Sequence, residues 1–132
     1  MPYLKHIACL VLPALLMAAV QFAGVFEWLG AHPFWSLKGA MIGVAIGLGL
    51  YLLLALYRRR HRISEALLLL VFVVALVIAG ALALNGKASF VMTYAQDVVG
   101  GRYWYFGYIG FCAALYLAMV SACRMVWPPE RG

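Results

Sequence analysis

Charge is what this chain has least of. Asp, Glu, Lys and Arg together make up 11% of its 132 residues, and only four residues are acidic. With 67% of the residues hydrophobic, a water-soluble domain of this size could not hide its apolar surface. The long apolar runs hold no Asp, Lys, Arg or His in their interiors, and His6, His32 and His61 all fall outside them. That absence removes haem ligation by paired membrane histidines and a His/Cys metal site. A Ser–His–acid set, a Gly-rich phosphate loop and a carboxylate pair are missing too, so the expectation is a non-enzymatic protein without cofactor or metal. Cysteine is scarce: Cys9, Cys112 and Cys123 form no CxxC, and each is expected to act as a small buried apolar residue rather than in a disulfide. Period-two alternation is lacking as well, which argues against a membrane β-barrel.

What is present is apolar length. Mean hydropathy is +0.99, and four runs reach the roughly 20 residues a spanning helix needs. They cover 7–26, 37–57, 65–84 and 103–123 and leave no room for a soluble domain. The fold class is therefore an all-α integral membrane protein, a single four-transmembrane-helix bundle over 1–132. Lys5 and the small residues closing the first run resemble a secretory leader, but the polar segment before Cys9 is very short, and the run is read as a retained span.

The basic residues give an orientation. With the N-terminus in the cytoplasm, that side collects Lys5, Arg58, Arg59, Arg60, Arg62, Arg124 and Arg131, against Lys38, Lys87 and Arg102 outside. Seven against three places both termini and the 58–63 loop in the cytoplasm, and size and style suggest a bacterial inner membrane. Arg58, Arg59, Arg60 and Arg62 can also contact anionic lipid, at about 1 kcal/mol per basic residue near the surface. A five-residue basic hairpin between spans offers no surface for reading nucleic acid.

Small residues recur four apart on every run: Gly39, Gly43 and Gly47; Ala75, Ala79 and Ala83; Gly110, Ala114 and Ala118; Ala14 and Ala18. Lipid tails are as apolar as leucine, so membrane helices associate through close packing, which small residues permit. These stripes either face inward and close the bundle, or the glycines of the second run face a membrane-protein partner or a second copy. The connection 85–101 carries Phe90, Val91, Tyr94, Ala95 and Val98 at helical spacing and ends in Gly100-Gly101, which predicts a short amphipathic helix on the outer interface.

Aromatics crowd the outer side. Trp28, Trp35, Tyr94, Tyr103 and Trp104, with Arg102, Lys87, Asp97 and Glu27 nearby, suggest a platform for a lipid, a lipid-linked glycan or a partner protein. Gln21 is the strongest polar group within the hydrocarbon depth. It cannot carry a proton, which weakens proton-coupled export. The leading functional expectation is an accessory or assembly subunit of a larger membrane system. The alternative is a small oligomeric transporter or a flippase for a lipid-linked substrate, and an immunity-type membrane protein comes third.

Overall fold

Four apolar runs and no strand pattern call for helices, and helices are what form. The computed structural model describes residues 2–29, 36–93 and 98–127. Among them are α1 (Pro2–Phe22), α2 (Val25–Leu29), α3 (Ser36–Arg58), α4 (Glu65–Met92) and α5 (Val98–Val126). All but α2 are long and apolar enough to cross a membrane, so the described residues form an all-helical fold with the span lengths of a multi-pass membrane protein. Both ends of α1 and α5 that carry the chain termini, together with the 59–64 loop, share one end of the molecule, the basic end. The other is the aromatic end.

The first span stops earlier than expected. Gly24 adopts φ +79°, the left-handed conformation that closes helices, and the chain restarts as α2. Phe26 on α2 then turns inward, 2% exposed, with its ring edge-on to Tyr108 at 5.9 Å and to Phe111 at 6.5 Å.

The expected amphipathic helix between the third and fourth spans is not a separate element. α4 runs on through Phe90 and Val91 to Met92, where the backbone N–H and hydroxyl of Thr93 both return to the Ser89 carbonyl. Its 28 residues extend about 42 Å, beyond the roughly 30 Å hydrocarbon core. Gly100 and Gly101 open α5 rather than end a helix. Tyr94 and Ala95 lie outside the described residues. The glycines mislead here because they serve packing. A Cβ on Gly86 would meet the Gly100 carbonyl and come 2.6 Å from the Trp104 nitrogen, and one on Gly101 would stand 2.8 Å from the Phe90 ring.

α5 is the hub. It packs antiparallel to α4, parallel to α3, and against α1, which also touches α3. Half of the spanning window of α5 is buried, against 11% for α4, whose outer faces stay exposed. The α4–α5 seam is glycine-mediated at both levels: Gly86 against Gly100 and Trp104, then Gly107 with its Cβ position 2.8 Å from the Ala83 nitrogen. The 4-spaced alanine stripe on α4 holds only in part. Ala83 is buried and Ala79 faces Gly110, but Ala75 is exposed. Residues four apart advance about 400°, so two steps carry Ala75 roughly 80° away from the face that Ala83 presents. Phe72 and Leu76, both half-buried, stand closer to that face, each about 20° from Ala83.

Candidate functional site

The α3 glycines face α5, in one register. Cβ atoms on Gly39, Gly43 and Gly47 would stand 2.7 Å from the Tyr108 ring, 2.6 Å from Cys112 Cβ and 2.8 Å from the Tyr116 ring. The partner-facing reading of this stripe is thereby corrected: the neighbour is the chain's own last helix. Gly39 and Gly47 make room for two tyrosines, and Gly43 lets the backbones close between them. Ala114 and Ala118 on α5 are buried, and Gly110 is half-buried.

Each tyrosine crosses the seam with its hydroxyl. Tyr116 donates to the Leu10 carbonyl of α1 at 2.9 Å, within the turn that Pro13 deprives of a backbone donor. Tyr108 donates to the Ser36 carbonyl at 2.8 Å and lies 3.4 Å from Gln21 Oε1. Gln21 Nε2 donates to Ser36 Oγ at 3.0 Å, and Ser36 Oγ donates onward to Glu27 Oε1 at 3.1 Å. Gln21 is thus not a lone amide in hydrocarbon. Its amide, a serine and a tyrosine from three helices satisfy one another, which removes the desolvation cost of several kcal/mol that an unmade bond would carry.

Beside this knot, an apolar cleft of about 160 Å³ lies between α2, α4 and α5, lined by Phe26, Leu29, Ala83, Trp104, Tyr108 and Phe111 among others. It exists because α4 packs on α5 and leaves α2 at a distance. The described members of the expected aromatic platform differ in exposure. Trp104 is 7% exposed, its ring 5.9 Å from that of Phe90 with the Lys87 ammonium 5.6 Å from its centroid. Trp28, Arg102 and Tyr103 are exposed, and Trp35 and Tyr94 lie outside the described residues.

The basic end has its own arrangement. Ser64 caps α4 by accepting from Leu67 N at 3.1 Å, and Glu65 follows in the first turn. Glu65 Oε1 takes Arg58 Nη1 at 2.5 Å and lies 3.1 Å from Arg124 Nε, joining the ends of α3, α4 and α5. Arg124 also donates to the Tyr51 hydroxyl. Arg59, Arg60 and Arg62 are exposed, whereas Arg58 is half-buried in this network rather than part of a solvated belt. Cys9 and Cys123, both free thiols, bring their sulfurs to 2.9 Å across α1 and α5.

Sequence reasoning missed Ser36, Tyr51 and Tyr116 entirely, and it read Arg124 only as a topology charge. A usable signal was there for Tyr116: Tyr108, Cys112 and Tyr116 repeat at the spacing of Gly39, Gly43 and Gly47, large opposite small. Among the described residues no group of His, Cys, Asp and Glu is placed to hold a metal ion. Comparison with known protein families, curated proteins and solved structures found no match, so the chain's own geometry is what a functional reading rests on.

Proposed function

We propose that this chain is a non-enzymatic accessory or assembly subunit of a larger membrane system, seated in a bacterial inner membrane with both termini in the cytoplasm. One observation carries the reading: Gln21, the strongest polar group within the spans, is bonded by Ser36 and Tyr108 rather than lining a path. A transporter needs polar groups along a route through the bundle. The open surface is apolar, mainly the outer faces of α4, where Leu70, Val71, Val74, Val77 and Ile78 are exposed. That surface suits lipid and the spans of a partner, while the internal glycine stripe is already occupied by α5.

The second reading, a small oligomeric transporter or flippase of a lipid-linked substrate, draws on the apolar cleft bounded by Phe26 and Trp104. Purification in mild detergent separates the two. A stoichiometric membrane partner, whose own assembly fails when this chain is deleted, is the expected result. A lone homodimer that moves a substrate in proteoliposomes would replace the subunit reading with the transporter.

A further inference from the structure

We propose that the basic end of the bundle is a binding site for a phosphate-bearing dianion, formed where the α3–α4 connection folds against the last turn of α5. The site is a cleft of about 670 Å³ whose lining includes Arg58, Arg59, Arg60, His61, Arg62 and Arg124. It does not depend on the chain being a subunit of anything larger.

Positive charge in a loop between spans sets orientation without needing any geometry. Here there is geometry. Arg58 is fixed by Glu65 at 2.5 Å and by the Ile63 carbonyl at 2.8 Å, which closes the loop on itself. Arg124 arrives from the far end of the chain and is held by Glu65 and by Tyr51. Its Nε is buried and is not aligned for a hydrogen bond, although Glu65 Oε1 is 3.1 Å away. Among the described residues, five guanidiniums therefore line or border this cleft with a single carboxylate, Glu65, between them, a net charge of +4 from these six groups.

Confining like charges costs energy unless an anion joins them, and the first turn of α4, capped by Ser64, adds the positive end of a helix dipole. Guanidinium forks match phosphate oxygens two at a time, and a dianion can engage several of them where a single carboxylate serves fewer. The cleft lies at the end of the spans, at headgroup level. A phosphomonoester or diphosphate could thus reach it on a lipid or from solution.

The test uses the full chain in neutral detergent with native mass spectrometry. The probes are dioctanoyl phosphatidate, inorganic diphosphate and dioctanoyl phosphatidylcholine as the control. At about 0.15 M salt, where exposed charges are largely screened, phosphatidate is expected to saturate at one per chain. Arg124→Gln and Arg60→Gln should each weaken binding by about tenfold, the order of one charge-assisted bond. Arg102→Gln, an equal charge change at the opposite end, should leave binding intact. Arg60 is exposed, so its variant answers the question even if Arg124→Gln does not fold. Displacement of phosphatidate by diphosphate assigns the site to phosphate from either source, and its failure assigns the site to a lipid headgroup. No preference over phosphatidylcholine, unsaturable binding, or equal loss in Arg102→Gln overturns the proposal.

Discussion

Gly43 and Cys112 meet backbone to side chain: a Cβ on the glycine would stand 2.6 Å from the cysteine Cβ and 2.9 Å from the Ile109 carbonyl oxygen. This contact sets how closely α3 approaches α5, and through Tyr108 and Tyr116 on either side it sets where α1 can dock.

Gly43→Ala is therefore expected to destabilise the bundle by about 1–3 kcal/mol, because the obstruction includes backbone that cannot rotate away. Gly43→Leu should disrupt packing outright. Gly49, on the same helix with nothing within 4 Å of its Cβ position, supplies the control. Thermal unfolding in detergent should show Gly49→Ala unchanged. Equal behaviour of the two alanine variants would show that the glycine seam does not hold the helices.

Gln21→Leu removes the 3.0 Å bond to Ser36 and the 3.4 Å contact from Tyr108. Ser36 keeps Glu27, and Tyr108 keeps the Ser36 carbonyl, so the cost is expected to be about 1 kcal/mol, typical of a bond between membrane helices. The variant should fold, assemble and remain functional. A folded Gln21→Leu protein with its partner bound but its activity gone would promote the transporter reading.

Tyr116→Phe and Tyr108→Phe test the bridges across the glycines. Each leaves one carbonyl, of Leu10 or Ser36, without its hydroxyl donor, and each is expected to cost about 1 kcal/mol. Tyr116→Ala also leaves a void beside Gly47 and should cost about 3–5 kcal/mol. Unfolding midpoints of the four proteins, wild type included, give the comparison directly.

Cys9 and Cys123, with sulfurs at 2.9 Å, should cross-link under a mild oxidant such as copper phenanthroline, each thiol losing one hydrogen to it. Cys112, fully buried, should stay alkylatable only after unfolding. The product ties α1 to α5 and should migrate faster on a non-reducing gel. Cross-linking of Cys112 instead, or none, would contradict the docking of α1.

Orientation is tested by single cysteines in a cysteine-free background. A membrane-impermeant maleimide applied outside the cell should label position 102 and leave position 61 unlabelled until the membrane is opened. Both positions are exposed, so accessibility is not limited by burial. The reverse pattern would invert the topology.

The number of spans, the helical class and the crowding of arginine at one end were legible because lipid imposes a local rule: every backbone group must bond within its own helix, and about 20 apolar residues must be contiguous. Local sequence could not say which glycine ends a helix and which receives a neighbour. Gly24 and Gly86 look alike in composition, yet one takes φ +79° and the other lies under the backbone of α5. Ala75 and Ala83 share a stripe on paper, but only Ala83 reaches α5, since a 4-residue repeat drifts around a 3.6-residue helix. Tertiary structure alone decided that α5 is the hub, that Gln21 finds Ser36 and Tyr108, and that Arg124 joins Arg58 at Glu65. Those are contacts between residues far apart in the chain, and their geometry depends on how whole helices pack, which no short window of sequence contains.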